Sequence, residues 1–324
     1  MDIEVIKHEI LNEFTVLSQL ESKELQTIKY DKSNICESYE LDVNNINPIL
    51  INVDSKSSYW KEWKSIEQNV ASFEFRRSPG RNMYYLVKNE YDDRNLGVID
   101  INADFLSLGP RDSFIGWDKN QKIENNTHIA NISICVPTRH FGYNLSGGKL
   151  LALLSISNRI VTDWKEKYGD DLVGITVTSL YGRGTMYNRL KHFNYVGKTA
   201  GQGTIQVGKN IYKKLRDVVE HFDGDIPYGR FTKGKNTRIQ VIRRGCNLLN
   251  IDSKIFTTHG ISRGIYFAEL CENTKDYLCN RTDLPIYLDL STDSLIQYWK
   301  DTWGTRRLNN LINRNELQIK KTFF

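Results

Sequence analysis

The sequence lacks several features that would identify a membrane or secreted protein. It has no apolar run near the roughly 20 residues of a membrane-spanning helix, and its first residues, "MDIEVIKHEILNEF", carry no basic stretch before an apolar one. We therefore expect neither a transmembrane segment nor a secretory signal. The five cysteines are odd in number and form no CxxC pair, which argues against a disulfide framework and a zinc site. A reducing, cytoplasmic compartment is expected.

Nucleotide-binding and metal-binding signatures are missing as well. A Walker A loop needs Ser or Thr after its lysine, but Leu150 follows Lys149, and no G-x-G-x-x-G occurs. The histidines are scattered along the chain, so their spacing indicates no metal site. They are His8, His128, His140, His192, His221 and His259.

What the sequence does contain is a core and an uneven charge distribution. Of its 324 residues, 40% are hydrophobic and 11% aromatic, enough for a packed interior. The net charge is only +5. Between Tyr181 and Arg244, however, 14 lysines and arginines face 4 acidic residues. Such a segment favours a polyanionic partner, either nucleic acid or a phosphate-bearing cofactor. A solvated surface that binds nothing is the alternative.

Periodicity and turn residues predict the order of the elements. Residues 129–138 and 172–180 read as strands on either side of a helix over 146–169, which predicts a βαβ crossover. The remaining predictions are strands at 83–87, 96–101 and 195–199, helices at 59–70, 185–193, 210–222 and 291–312, a loop with buried aromatics at 111–118, turns with a basic strand at 228–245, and a loop then a strand at 257–270.

The segment "RHFGYNLSGGK", residues 139–149, is basic, rich in glycine and placed between a strand and a helix. Backbone N–H groups and the helix dipole at such a junction favour an anion. A tight connection that uses glycine only for its geometry is the alternative.

Residues 80–205 resemble the GNAT-type acyltransferase core in "RHFGYNLSGGKLLALL" and "MYNRLKHFNYVG". The resemblance implies an α+β fold with a mixed, mostly antiparallel sheet, a splayed central strand pair and flanking helices. The expected division is an N-terminal extension over 1–78, the GNAT-like core over 79–205 and a C-terminal extension over 206–324.

The same resemblance implies acyl-CoA, such as acetyl-CoA, as cofactor. Arg139 and Gly142 fit the family pattern [RQ]-x-x-G-x-[GA], whereas Asn144 replaces its last small residue. The residues implied to hold the cofactor phosphates are Arg139, Gly142, Asn144, Ser146, Gly147, Gly148 and Lys149.

A second resemblance concerns "LGPRDSFIGWD", "NLSGGKLLALL", "YGRGTMYNRLKHFNYVGKTAGQG" and "HGISRGIYFAEL". These stretches are similar to the Druantia A family of anti-phage proteins and to related proteins near transposable elements. The third stretch is also similar to the Mom proteins of phages, which modify adenine in DNA. The resemblance implies a phage, mobile-element or defence context and DNA as partner.

Four residues are candidates for catalysis. Tyr187 would give a proton or a hydrogen bond to a leaving thiolate, unless it is a packed tyrosine with its hydroxyl paired. Ser179 and Tyr181 would orient the acceptor or relay its proton, unless they serve the strand alone. Asp112 would be a general base towards an exocyclic amine, unless it caps a loop together with Arg111.

Basic residues are the candidates for nucleic-acid contacts. Arg183, Arg189 and Lys198 would touch a phosphate backbone, which provides affinity and salt dependence. Arg111 is placed in the same group. His259 and Arg263 form a second candidate site without an assigned role.

Three functions follow from these observations. The first is a GNAT-fold transferase that modifies a base amine in DNA, which would require extrusion of a base from a duplex. The second is a DNA-binding protein of defence or mobile elements that has lost its chemistry. The third is an acyl-CoA-dependent acyltransferase acting on a small amine or a protein.

Overall fold

The computed structural model describes residues 2–20, 42–71, 80–179, 182–183, 186–199, 207–224, 237–256 and 263–317. The chain forms two compact units. The helical unit comprises residues 1–27 and 200–262, and the sheet unit comprises residues 28–199 and 263–324. The division of the sequence at 78/79 and 205/206 stays a prediction. In the described ranges, no helix combines the length and apolar character needed to cross a bilayer.

A seven-stranded sheet organises the sheet unit. Its spatial order is β1-β2-β3-β4-β5-β7-β6, and only β4 and β5 pair in parallel. The mixed, mostly antiparallel sheet and the α+β class are thereby confirmed. The strands are β1 Pro48–Val53, β2 Asn82–Asn89, β3 Asn95–Ala103, β4 Ile129–Pro137, β5 Gly174–Ser179, β6 Phe193–Lys198 and β7 Gly264–Glu269.

Helices cover the sheet and build the helical unit. A π-helical segment, Lys300–Gly304, joins the last two helices, and Ser291 caps the first of this pair by accepting a hydrogen bond from Ser294 N. The helices are α1 Ile3–Leu20, α2 Trp60–Val70, α3 Gly109–Ile115, α4 Lys119–Asn125, α5 Arg139–Leu145, α6 Gly147–Leu154, α7 Asn158–Tyr168, α8 Lys209–Asp223, α9 Thr237–Leu248, α10 Thr274–Leu278, α11 Thr292–Trp299 and α12 Thr305–Arg314.

The single helix predicted over 146–169 is wrong, because α6 and α7 are separate. The Ser155 hydroxyl donates to Ala152 O at 2.6 Å, and Ser157 adopts an extended conformation as the residue before α7. Serine side chains compete with helical hydrogen bonds and favour helix ends. The two serines therefore divide an otherwise continuous helical pattern.

Two further local predictions are corrected. The segment 111–118 contains most of α3 instead of a loop, with Pro110 in the first turn and Gly116 in a left-handed conformation after the end, both ordinary helix boundary signals. The helix predicted over 185–193 is a series of turns in its described part, residues 186–192. Arg189 and His192 have positive φ angles of 61° and 74° there, which a right-handed helix does not allow.

The third correction concerns 228–245, whose described part forms helix α9 instead of a strand. Ile242, Cys246 and Leu249 are buried at helical spacing against α8. Gly245 marks the close approach of the two helices, since an added Cβ would lie 2.9 Å from Leu215 O. Packing thus overrides the strand preference of the β-branched residues.

Within the helical unit, acidic partners neutralise several of the basic residues. Lys214 of α8 pairs with Glu9 and Glu13 of α1 at 2.9 and 3.6 Å. Arg244 donates two hydrogen bonds of 2.8 Å to Asp223. The basic segment of the sequence is also divided, because residues 181–199 belong to the sheet unit and 200–244 to the helical unit. It is therefore not one continuous cationic surface within a single unit.

The two faces of the sheet differ in chemistry. Side chains alternate between faces along each strand, and one set joins the large core with α6, α7 and α11. We call this side the apolar face; it carries Ile99, Ile101, Ala130, Ile132 and Ile175. The opposite side holds a polar patch between two smaller apolar clusters. The polar patch consists of Asp100, Asn102, Asn131, Ser133 and Thr176.

Candidate active site at the diverging strands

The central strands β4 and β5 separate soon after they start. They pair only from Ile129↔Gly174 to Ile132↔Val177. Beyond that point β4 continues to Pro137 along β3, while β5 continues to Ser179 along β7. The splayed central strand pair is therefore present, and it opens the sheet at its middle.

A β-bulge lies where the strands part. Asp100 pairs with Ile134 and Ile101 with Ile132, so Ser133 is the extra residue of β4. Bulges redirect side chains and are frequent next to active sites. Here the bulge turns the Ser133 hydroxyl towards Asp100, to which it donates a hydrogen bond of 2.6 Å.

Tyr187 lies on the apolar face beside this opening. Its buried ring is 5.4 Å from Phe193 and 5.8 Å from Tyr266, centroid to centroid. Burial, together with the hydrogen bond to Cys135, raises the pKa of Tyr187 well above its ordinary value. The phenol therefore stays protonated and can donate a hydrogen bond. Its contacts are those of a packed core tyrosine, and its catalytic role stays a prediction.

The other two catalytic candidates are Ser179 and Tyr181. Ser179 is buried at the end of β5, opposite Gly264 of β7. Tyr181 lies outside the described residues, as does His259. Arg263 is half-buried, and its N–H donates to Thr199 Oγ1 at 2.9 Å. The catalytic roles of Ser179 and Tyr181 stay predictions.

The glycines of the expected phosphate loop are in close packing contacts. An added Cβ on Gly142 would lie 2.7 Å from Pro137 Cγ, and one on Gly148 would lie 2.8 Å from Met186 Sδ. Gly147 lies directly against the Phe141 ring. Ser146, between α5 and α6, has a φ of 55°. These contacts explain the glycines by interior geometry.

Lys149 and Asn144 also point to the interior. The Lys149 ammonium donates to the carbonyls of Met186 and Asn188 at 3.0 and 2.8 Å and lies 4.0 Å from the Trp303 ring centroid. Burial, with a smaller contribution from Arg189, lowers the pKa of Lys149 to about 8. Asn144 has no exposed surface.

Only the exposed Arg139 faces solvent in the way that a phosphate contact needs. Lys149 and Asn144 direct their polar groups to the interior, and the three glycines are closely packed, whereas Arg139 is exposed and Ser146 is half-buried. The loop around Lys149 therefore does not fit the pyrophosphate of the implied acyl-CoA.

Arg183, Arg189 and Lys198 are exposed, as contacts with a polyanion require. The Arg183 guanidinium lies 5.3 Å from the Tyr195 ring centroid, at the outer strand β6. Lys198 ends the same strand. Their role in nucleic-acid binding stays a prediction that their exposure permits.

Arg111 differs from these three, because it is completely buried. It pairs with Asp104 at 2.7 Å and donates to Asp112 Oδ1 through Nε at 3.0 Å. Asp104 also accepts a hydrogen bond from Thr176. An arginine without exposed surface cannot touch a phosphate backbone, so the assignment of Arg111 to the nucleic-acid contacts is corrected to an internal ion-pairing role.

Asp112 is held by neighbours of opposite charge. Besides Arg111, it receives Lys122 Nζ at 3.1 Å and the N–H of Leu108 at 3.1 Å. Its predicted role as a general base stays a prediction, and its contacts match the loop-capping alternative.

The polar patch is the feature that the sequence analysis missed. Burial raises the pKa of Asp100 to about 7. Asn102 Nδ2 donates to Ser133 Oγ at 2.9 Å, while among the described residues Asn131 Oδ1 accepts no hydrogen bond. Buried polar atoms in proteins are normally paired, so an orphan atom requires an explanation such as a ligand. A signal was present, because "IDINAD" places polar residues at every second position of an apolar strand.

Comparison with known proteins adds a relationship. A family model described as Druantia protein DruA matches residues 7–280. The chain is 30% identical over 220 residues to the Druantia protein DruA of Escherichia coli (strain UMEA 4076-1), covering 61% of this chain and 53% of that protein. The chain thus spans about half the length of this curated relative. No solved structure matches the chain.

Proposed function

The chain belongs to the family of the Druantia protein DruA, and on this premise we propose that it acts in anti-phage defence as a transferase that modifies a base amine in DNA. The observation that carries the proposal is the bulge at Ser133 over Asp100, placed where β4 and β5 separate. The separation of the central strands thus brings an exposed hydroxyl together with a buried carboxylate.

The acceptor side of the reaction uses Asp100 and Ser133. A base with a pKa near the working pH is best suited to take a proton, and the pKa of Asp100 is about 7. Ser133 is exposed while Asp100 is buried, and the 2.6 Å hydrogen bond joins them. We assign to Ser133 the contact with the incoming amine and to Asp100 the acceptance of its proton.

The resemblance to GNAT-type enzymes implies an acyl-CoA donor, but the packed loop around Lys149 does not fit its phosphates. We therefore assign no step of the reaction to acyl-CoA. Tyr187 contributes a protonated hydroxyl at the same opening, on the apolar face. Arg183, Arg189 and Lys198 supply exposed positive charge for the phosphate backbone.

Mass spectrometry of nucleosides tests the proposal. DNA is isolated from cells that express wild type, Asp100→Asn or Tyr187→Phe, with Asp283→Asn, an exposed aspartate, as the matched control. We expect a new nucleoside mass with wild type and Asp283→Asn that is lost with Asp100→Asn. Loss with Tyr187→Phe would assign that hydroxyl to the reaction. A new mass that persists in Asp100→Asn would contradict the role of Asp100.

A second candidate function is DNA binding without chemistry. The packing of Gly142, Gly147 and Gly148 and the internal bonds of Lys149 favour it, because a degenerate cofactor loop needs no open anion site. It predicts salt-dependent DNA affinity, unmodified nucleosides and binding that survives Tyr187→Phe. Acetyl-CoA turnover that added DNA does not change would instead support a small-amine or protein acyltransferase.

A further inference from the structure

Two neighbouring apolar side chains are exposed at the turn between β3 and α3. Phe105 is 44% exposed and Leu106 is 53% exposed. Single exposed apolar residues are common on protein surfaces. Here an exposed aromatic residue and an exposed aliphatic residue are adjacent on one turn, and buried side chains hold the backbone of that turn by hydrogen bonds.

The anchor is the buried ion pair of Asp104 and Arg111. Asp104 Oδ1 accepts the N–H of Phe105 at 2.7 Å, and Arg111 donates to Phe105 O at 2.7 Å. Both peptide groups of Phe105 are thus fixed from inside the protein. The turn keeps its conformation without help from the Phe105 and Leu106 side chains.

The far end of the turn is anchored too. Leu108 N–H donates to Asp112 Oδ2 at 3.1 Å, and Lys122 Nζ donates to Ser107 Oγ at 3.2 Å. The side chains of Phe105 and Leu106 therefore project from a rigid support. A rigid apolar projection loses little conformational entropy when a partner covers it.

The start of α3, which follows this turn, lies against the outer strand β6. An added Cβ on Gly197 would be 3.0 Å from Pro110 Cβ, so β6 contacts the start of α3. Lys198 follows Gly197 and is exposed. Residues 182–199 contain lysine and arginine but no acidic residue. The segment that carries Phe105 and Leu106 thus leads directly into a helix that packs on the strand ending in the exposed Lys198.

We propose that Phe105 and Leu106 form a wedge that inserts between base pairs of duplex DNA while Lys198 of β6 and Arg183, which stacks on Tyr195 of that strand, hold the phosphate backbone. The proposal rests on DNA as the partner in the proposed function and deepens it, since a base amine in a duplex must first leave the stack. Proteins that bend DNA commonly insert Phe or Leu between base steps and unstack them.

The test uses the full chain and short duplexes that contain 2-aminopurine, whose fluorescence rises on unstacking. The variant is Phe105→Ala/Leu106→Ala. The matched control is Tyr91→Ala/Leu284→Ala, which removes two apolar side chains that are 68% and 75% exposed elsewhere. Thermal unfolding of each variant checks that it is folded, and Leu106→Ala alone serves if the double variant is not.

We expect wild type and the control to raise the fluorescence, and the wedge variant to leave it at the level of free duplex. Loss of the inserted side chains should weaken duplex binding by about tenfold or more. Binding and fluorescence equal to those of wild type would overturn the wedge. Wild-type binding without a fluorescence rise would overturn the wedge but leave DNA as partner. No wild-type binding to DNA would overturn both proposals.

Discussion

The same strands carry apolar side chains on one face of the sheet and several polar side chains on the other. On the apolar face, Ile99, Ile132 and Ile175 pack beneath helices in the largest core of the molecule. On the opposite face the same strands present Asp100, Asn131 and Thr176, all buried. Burying polar groups costs free energy unless their hydrogen bonds are made. The apolar face therefore stabilises the fold, whereas the polar patch is retained at a cost.

The difference shows where function is to be sought. Proteins depart from the most stable arrangement mainly at functional or strained sites. The polar patch combines a buried carboxylate of raised pKa, a β-bulge and an orphan amide oxygen at the point where β4 and β5 separate. The apolar face contributes support at that point, where the Tyr187 hydroxyl is hydrogen-bonded to Cys135.

The largest loss of stability is expected when one partner of the buried ion pair beside the polar patch is removed. We expect Arg111→Met to lower the free energy of unfolding by about 3–5 kcal/mol, because Asp104 would be left buried without its cation. Urea unfolding at neutral pH measures the change. Lys122→Met, which removes the more exposed partner of Asp112, should cost less than about 1 kcal/mol. Equal losses in the two variants would refute the role of burial.

Truncation of a side chain on the apolar face tests how much that face contributes to the free energy of unfolding. Leu151→Ala should lower the free energy of unfolding by about 2–5 kcal/mol, since the fully buried side chain packs closely against Gly97 of β3 and its loss leaves a cavity. Leu284→Ala, at a side chain that is 75% exposed, should change it by less than about 0.5 kcal/mol. Similar values for both in urea unfolding would show that the apolar face does not dominate stability.

A further expected effect is a pH dependence that belongs to the polar patch. The folded-state pKa of Asp100 lies above its ordinary value of 3.8, at about 7, so the folded protein holds this proton more tightly than the unfolded chain. The free energy of unfolding should therefore decrease from pH 4 to 7, by at most about 1.4 kcal/mol per pH unit from this group. Asp100→Asn should flatten the slope, and Asp283→Asn should keep it. A slope unchanged in Asp100→Asn would assign it to other groups.

Local pattern predicted much of the sheet unit. Apolar runs bounded by turn residues indicated β2, β3, β4 and β5, and the helical pattern over 291–312 indicated α11 and most of α12, as the structure shows. The splayed strand pair followed from a family resemblance and is present. Predictions failed where two local signals competed, as in α9, whose valine and isoleucines suggested a strand until packing against α8 made it a helix.

The site was harder to predict than the elements, because its residues meet only through pairing of distant strands. Asp100 and Ser133 are 33 positions apart and touch across the bulge. No local rule distinguishes the buried Arg111 from the exposed Arg183 either. Both are arginines near aromatic residues, and only the fold encloses the first.

The sequence by itself determined the alternation of most strands, the apolar core, the family resemblance and the basic, acid-free run that ends in β6, because each depends on residues close together in the chain. Tertiary structure alone decided that β7 lies between β5 and β6, that Lys149 bonds to interior carbonyls and that Asp100 is buried. These outcomes depend on which distant segments exclude water from a side chain, and burial sets the energy of a charge far more strongly than sequence neighbours do.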